Sequence, residues 1–310
     1  MISDQQATKA VRKVFPKSTV IKTSKIRGGI INENYIIKIN NPNRELVLKI
    51  YPKEGWKAEK EKYLYNLISN KINIPVPTVH SLDTSKKIFP KNYLLLSKLV
   101  GEEMTPPNSA VVCKIPTSDE LIRESGSLLA KIHSIKFSSY GWIIRSKISP
   151  KFSTWSDFVF FDLGEKINKL SKTPKIKESF IEKSLNYIEE RKHLLNINSE
   201  PCLLHKDYHC SHIFANSKKI TGIIDFEWSI AGHNELDLVK SLWWMFEDSK
   251  EHEKTFLKGY HKFGSISKKF EKRKKLYRLY LLIGLIGLSI EKKNKKWFDY
   301  NLKEAKEILK

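Results

Sequence analysis

The amino-acid sequence predicts a two-lobed α+β fold, with a small β-rich lobe over residues 1–98 and a larger, mostly helical lobe over residues 99–310. Three observations predict it. Five short runs rich in β-branched and aromatic residues precede residue 98, interrupted by a single helical stretch. Beyond Gly101 the apolar residues recur at helical spacing. Between the two parts, at Lys98–Gly101, there is no repeat and no low-complexity linker, so they read as unequal lobes of one body.

Taken in order, Asp4 is placed to cap a first helix whose apolar positions are Ala7, Val11 and Val14. Strands are expected at Thr19–Thr23, Tyr35–Ile39 and Leu46–Tyr51. A charged helix over Trp56–Asn70 is closed by Pro75 and Pro77, which cannot continue it. Thr78–Leu82 and Tyr93–Ser97 complete the lobe. In the second lobe Thr117-Ser118-Asp119-Glu120 reads as a capping box, opening a helix with Leu121, Leu128, Leu129 and Ile132 on one face. Helices are further expected over Trp155–Leu170, Lys177–Leu195, Glu235–Phe246, Glu251–Phe263, Lys268–Ile290 and at the C-terminus. Only Cys202–Leu204, Ile213–Ala215 and Ile220–Ile224 read as strands there.

Composition narrows the function classes. Of 310 residues, 40% are hydrophobic and 29% charged, which excludes general disorder. Three cysteines (Cys113, Cys202 and Cys210), with no C-x-x-C pair, exclude a disulfide framework and a cysteine-cage zinc module. They point to a reducing compartment, the cytoplasm. Met1–Thr8 is polar and carries no secretory signal. The longest apolar run, Leu279 to Ile290, is short of the roughly 20 residues a bilayer span needs, and reads as a core helix. The 56 Lys+Arg against 34 Asp+Glu leave a charge of +22, which by itself invites a nucleic-acid or anionic-membrane partner.

The chemistry concentrates in Leu203-Leu204-His205-Lys206-Asp207-Tyr208-His209-Cys210-Ser211-His212, where an apolar run ends in a cluster of ionisable residues. Ile220 to Ile224 repeats the arrangement and ends in Asp225 and Glu227. Carboxylates at the ends of apolar strands are held rigidly against a cleft, which suits metal binding or proton abstraction. Asp207 and Asp225 are 18 residues apart, room for a hairpin with its turn at Asn216–Lys219 that brings them together. Two functional readings compete with chance clustering near a turn. Either His205, Asp207, His209 and His212 are ligands of a hydrolytic zinc, or Asp207 is a base while Asp225 and His212 hold Mg²⁺ for phosphoryl transfer.

The first lobe separates them. Gly28 and Gly29 stand before a strand, where bare backbone can approach phosphates. Lys49 then sits inside the apolar strand Leu46–Tyr51, where an ammonium needs an anion. The next helix offers Glu59 and Glu61. Glu61 is one turn before Tyr65 and on the side of Leu64 and Ile68, so it leans toward the sheet. Glycine turn, strand lysine, helix glutamate, a distant H-x-D and a strand-end Asp are an ATP site in kinase order. A zinc hydrolase has no use for the first half of that series.

On these pieces the sequence resembles the aminoglycoside phosphotransferase/choline kinase family, the small-molecule branch of the protein-kinase-like fold. The segments that carry the resemblance are GGIINENY, Lys49, Glu61, PVP at Pro75–Pro77, LLLSKLVG, LLAKIHSI, HKDYHCSHIF and IIDFEWSIAGHNELDLV. The resemblance implies an ATP- (or GTP-) and Mg²⁺-dependent kinase acting on a small-molecule hydroxyl, with no obligatory nucleic acid and no membrane span. It implies that Asp207 is the catalytic base, Asp225 the principal Mg²⁺ ligand, and Lys49 the contact to the α- and β-phosphates, held by Glu61. Gly28 and Gly29 would approach the phosphates, and the backbone at Ser97–Leu99 would meet the adenine edge. His205 and Asp237 would support the catalytic loop. Where the family usually has Asn as the second metal ligand, this sequence has His212. Glu227 is a candidate for the acceptor or a metal, and Trp228, Trp243 and Trp244, at such spacing, read first as core. Acceptors in view are aminoglycosides, amino alcohols, sugars and homoserine. Glu247, Asp248, Glu251 and Glu253 are the acids available for a polycation, which the overall charge disfavours. The alternative is a catalytically silent, kinase-like protein that binds nucleotide or nucleic acid.

Overall fold

The computed structural model describes residues 2–26, 31–104 and 118–310. Gly28, Gly29, Cys113 and Thr117 lie outside them. Helix α1 (Asp4–Arg12) buries Ala7, Ala10 and Val11, but its cap is Ser3 and not Asp4. The Ser3 hydroxyl accepts from the Gln6 N–H and the Gln6 side chain reaches back, a reciprocal pair that leaves Asp4 in the first turn. Strands β1 (Val20–Lys25), β2 (Glu33–Ile39), β3 (Arg44–Tyr51), β4 (Val79–Asp83) and β5 (Asn92–Ser97) form one antiparallel sheet in the order β1-β2-β3-β5-β4. Helix α2 (Trp56–Lys71) follows β3 and packs with its inward residues Ala58, Glu61, Leu64, Tyr65 and Ile68 buried.

Past the crossover, β6 (Glu102–Glu103) joins β10 (Ile213–Ala215) and β11 (Ile220–Ile223) in a three-stranded sheet. The turn between β10 and β11 falls at Asn216–Lys219, as the spacing predicts. Asn216 Oδ1 accepts from the N–H groups of Lys218 and Lys219. A second sheet runs β8 (Lys147–Ile148), β7 (Gly141–Ile144), β12 (Ile230–Gly232), β9 (Cys202–Leu204). Three of these short strands, β7, β8 and β12, give no usable alternation in the sequence.

The rest is helical: α3 (Asp119–His133), α4 (Trp155–Ser171), α5 (Glu178–Glu190), α6 (Asn234–Phe246), α7 (Lys250–Tyr260), α8 (Phe270–Glu291) and α9 (Lys295–Ile308). Ser118 is the cap of α3, accepting from the Leu121 N–H. The helix expected over Lys177–Leu195 ends at Glu190, and Lys192–Leu195 is a separate 3-10 turn. Helices α3 and α7 meet at two glycines: a Cβ on Gly259 would lie 1.8 Å from the Arg123 carbonyl oxygen, and one on Gly126 2.0 Å from that of Phe256. Helix α8 holds the apolar run, with Leu279, Leu282, Ile283 and Ile286 fully buried, as a core helix. Among the described residues no helix is long and apolar enough to cross a membrane.

Among the described residues, buried apolar side chains form two clusters. The smaller lies between α1 and the outer face of the sheet, around Ile37, Leu46, Leu48 and Leu95. The larger begins under α2 and on the inner face of β5, with Leu64, Ile68, Leu94 and Leu96, and continues without a break through the helical part.

Candidate active site

Two loops meet where the two halves face each other. One follows β9 and carries His205 to His212. The other follows β11 and carries Asp225 to Trp228. Each has a residue in the left-handed region, Lys206 at φ 62° and Asp225 at φ 69°, a conformation that side-chain-bearing residues adopt only when their surroundings fix it.

Several contacts fix it. Asp237, at the start of α6, accepts from the backbone N–H of His205 at 2.6 Å and from that of Lys206 at 2.7 Å. Its Oδ2 lies 3.3 Å from His133 Nε2. His205 spans the two loops: its Nε2 donates to the Ile224 carbonyl oxygen at 3.0 Å, and its Nδ1 accepts from the Asp207 N–H at 3.2 Å. A carbonyl can only accept, so Nε2 carries the proton and the ring is neutral. Burial, then the neighbouring His212, lower the His205 pKa to about 4. His205 and Asp237 are therefore placed as scaffolding.

Asp207 lines the opening with its Oδ1 at 2.6 Å from the ammonium of Lys240 on α6. Burial works against its charge, but Lys240 and the adjacent histidines hold its carboxyl well below the usual carboxylate range. Sequence reading missed Lys240. The signal was there, a lone lysine in the apolar helix stretch Leu236 to Phe246. His212 stands between the two carboxylates. Its Nδ1 donates to the Asp207 carbonyl oxygen at 2.8 Å, and its Nε2 lies 3.6 Å from Asp225 Oδ2.

From the other lobe, Lys49 on β3 reaches Asp225 Oδ1 at 3.0 Å and Glu61 Oε2 at 2.6 Å. Glu61 is fully buried and also accepts from the Tyr51 hydroxyl and the Phe226 N–H. Burial penalises the Lys49 ammonium, yet Asp225 and Glu61 outweigh it and raise its pKa well above the ordinary lysine value. The same partners bring Asp225 below its own ordinary value against the effect of burial, Lys49 first and then His212. Glu59, the other acid on α2, pairs with Arg145 at 3.0 Å on the surface. Glu227 accepts from the Asn32 side chain at 2.6 Å, and burial raises its pKa.

Asp207, His212, Asp225 and Glu227 line a cavity of about 730 Å³ together with Asn32, Trp243, Trp244, Trp297 and Tyr300. Trp243 is packed in the core, as its helical spacing indicates, with Trp244 against it, and both, with Trp228, also border this opening. Ser97 and Leu99 stand apart from it. The Ser97 N–H is committed to the Thr78 carbonyl oxygen at 2.9 Å, and the Leu99 side chain covers Gly222 on β11. Of the acids considered for a polycation, Glu247 pairs with Arg278 at 2.6 Å and Glu253 with Lys250 and Lys274. Cys210 is buried, as is Cys202, and neither forms a disulfide.

Neutral buried histidines make stability depend on pH. His233 is lowered to about 3, by burial and then by Arg273, and His205 to about 4, against an ordinary 6.5. Both are neutral when folded, so the unfolded chain binds more protons between pH 4 and 6.5. Their contribution to stability is therefore complete above pH 6.5 and lost as the pH falls from there, by about 2–3 kcal/mol for His205 alone by pH 4. Urea midpoints at pH 7.5 and 4.5 check this. A His205→Gln protein should show a flatter profile, and equal slopes would contradict it.

An antiparallel lobe carrying a lysine–glutamate pair, set over a helical lobe that presents two loop-borne carboxylates, defines a kinase of the phosphotransferase class. The chain belongs to the APH family of phosphotransferase enzymes, whose family model matches residues 22–272, and it is a small-molecule kinase of that family. Solved structures share the fold throughout. Aminoglycoside phosphotransferase APH(4)-Ia superposes with a TM-score of 0.76 at 13% identity, over 99% of this chain and 98% of that one. A thermostable mutant of the same protein is solved as a ternary complex with AMP-PNP and hygromycin B. The putative fructosamine-3-kinase from Thermobifida fusca YX-ER1 gives 0.73 at 16% identity, over 97% and 98%. The GDP and kanamycin complex of APH(2")-IIia gives 0.66 at 14%, over 97% of each chain. Comparison with curated protein sequences returns no significant match.

Proposed function

We propose that the protein transfers the γ-phosphate of ATP or GTP to a hydroxyl of a small molecule in the cytoplasm, with Asp207 as catalytic base. The observation that carries the reading is the pair of carboxylates, Asp207 and Asp225, set on either side of His212, with Lys49 bridging Asp225 and Glu61. AMP-PNP in one relative and GDP in another support a purine nucleotide as donor. In this role Asp207 orients the acceptor O–H and takes its proton as the bond to phosphorus forms. Its low pKa suits a group that positions first and accepts late. Lys49 meets the α- and β-phosphates, kept in place by Glu61. Gly28 and Gly29 approach the phosphates, Ser97 and Leu99 border the base, and Glu227 faces the acceptor or a metal.

The residues present fit Mg²⁺. His212 Nδ1 donates to the Asp207 carbonyl, and its Nε2 and a carboxylate oxygen of Asp225 face each other at 3.6 Å. A ring nitrogen and a carboxylate oxygen so placed are a donor set for a cation, and Asp225 and His212 would hold it. When bound, the ion neutralises charge on the β- and γ-phosphates. Calorimetric titration tests this reading. ATP should bind about tenfold or more tightly with Mg²⁺ than without, and Asp225→Asn should erase the difference. Equal affinities in the unmodified protein would sink the assignment.

A second reading, a catalytically silent nucleotide-binding relative, is favoured by one observation: imidazole nitrogen is a poorer partner than an amide oxygen for hard Mg²⁺. His212→Asn separates the two. Turnover present before the change and kept or raised by it supports the enzyme, whereas turnover that appears only with Asn supports the silent reading.

A further inference from the structure

The acids of the cavity are each matched, Asp207 by Lys240, Asp225 by Lys49, Glu247 by Arg278 and Glu227 by Asn32. Of its lysines, Lys240 is taken by Asp207 and Lys166 by Asp162, which leaves Lys206. Lys206 gives only its backbone to the loop, the N–H to Asp237 and the carbonyl oxygen to Lys240 at 2.6 Å. Its side chain lines the cavity, and no hydrogen bond or ion pair to its ammonium is found among the described residues. Burial, and then the neighbouring Lys166, lower its pKa to about 8 against the opposing pull of Asp162, whose carboxylate is already paired with Lys166.

Two backbone features keep this arrangement at a local cost. At φ 62° Lys206 occupies the left-handed region that glycine favours, so a lysine there is retained against the backbone preference. In the middle of α8, where glycine weakens a helix, Gly284 lines the same cavity and leaves room for the Lys166 stem. A Cβ there would come within 3.1 Å of Lys166 Cε. On the same wall Trp243 and Trp244 line the cavity, Trp244 with the Lys240 ammonium 4.2 Å from its ring centre.

We propose that the acceptor, which rests on the phosphotransferase reading of this cavity, is an anionic alcohol whose carboxylate or phosphate pairs with Lys206 while its ring or hydrocarbon body lies against Trp243 and Trp244. The transfer balances in the ordinary way. The acceptor oxygen bonds to the γ-phosphorus, the bond from that phosphorus to the β-bridging oxygen breaks, and the hydroxyl proton passes to Asp207 and then to water. A polycation meets an unpaired lysine at this wall and is disfavoured.

A matched series tests it: 4-methylbenzyl alcohol, 4-(hydroxymethyl)benzoate, 4-(hydroxymethyl)phenyl phosphate and 4-(hydroxymethyl)benzylamine, with kanamycin as the polycation. Dissociation constants come from quenching of tryptophan fluorescence, and acceptor activity from ADP release with Mg-ATP. An anionic member should bind about tenfold or more tightly than the neutral alcohol, and the amine more weakly than either. The carboxylate and phosphate arms decide which anion the site prefers. Lys206→Gly, whose backbone suits φ 62°, should bring the anionic-to-neutral ratio close to one. Binding of the neutral alcohol, the amine or kanamycin as tight as that of both anions, or an unchanged ratio in Lys206→Gly, overturns the proposal. Failure of the phosphotransferase reading is seen separately, as Mg-independent nucleotide affinity in calorimetry while the fluorescence preference is still measured.

Discussion

Replacing Asp207 by Ala or Asn should cut phosphoryl transfer by about 10³-fold or more while Mg-ATP affinity stays the same or rises slightly. The size follows from two roles lost together, orientation of the acceptor hydroxyl and acceptance of its proton; general base catalysis alone contributes about 10²–10⁴. The sign on nucleotide binding follows from charge. Asp207 and Asp225 face His212 from opposite sides, and Asp207 raises the Asp225 pKa as like charges do. Removing one anion makes the place of the triphosphate less negative. Asn is the better probe, since it keeps an oxygen for Lys240, whereas Ala strands that nearly buried ammonium with only the Lys206 carbonyl. Single-turnover transfer and calorimetry on the same preparation decide it. Turnover within a few-fold of the unmodified enzyme would remove Asp207 from the chemistry.

Lys49→Met should damage both activity and stability, and the second effect identifies its cause. Glu61 is completely buried, and the Lys49 ammonium at 2.6 Å is its cation. Taking away one member of a buried pair leaves an uncompensated charge and costs about 3–5 kcal/mol. The double change Lys49→Met with Glu61→Gln should recover most of that loss, since the glutamine oxygen can still accept from the Phe226 N–H while its NH2 donates to the Tyr51 hydroxyl oxygen, yet stay inactive because the triphosphate has lost its lysine. Urea denaturation of the four proteins of the cycle measures the coupling. Additive losses in stability would mean that the pair does not act as a unit.

The sequence made Lys49 legible because an ammonium in an apolar strand demands an explanation, and Glu61 because it falls on the inward face of a helix. Asp207, Asp225 and the hairpin joining them were legible from apolar runs that end in acids. What escaped depends on tertiary approach. Lys240 lies 33 residues beyond Asp207, and nothing local says that α6 passes the loop that follows β9. Asn32 meets Glu227 across 195 residues. Trp243 of α6 is core, as its spacing indicates, but the opening it also borders was not legible for a related reason: periodicity identifies the face a helix turns inward, but not whether side chains or an opening lie opposite. Strands of two to four residues, such as β7, β8 and β12, are too short for alternation to register, and only their neighbours make them strands.

The two apolar clusters bear on how the molecule comes apart. The layer under α1 belongs to the sheet alone, whereas the layer under α2 is continuous with the interior of the helical part. A fragment ending near residue 98 would bare Leu64, Ile68, Leu94 and Leu96 to water and lose the partners that justify their burial. Cooperativity is therefore unevenly shared. Helix α1 can fray and re-dock as a local unit, but the sheet, α2 and the helices beneath them melt together, so a lesion deep in the helical part reaches the nucleotide side through packing before any ligand is involved.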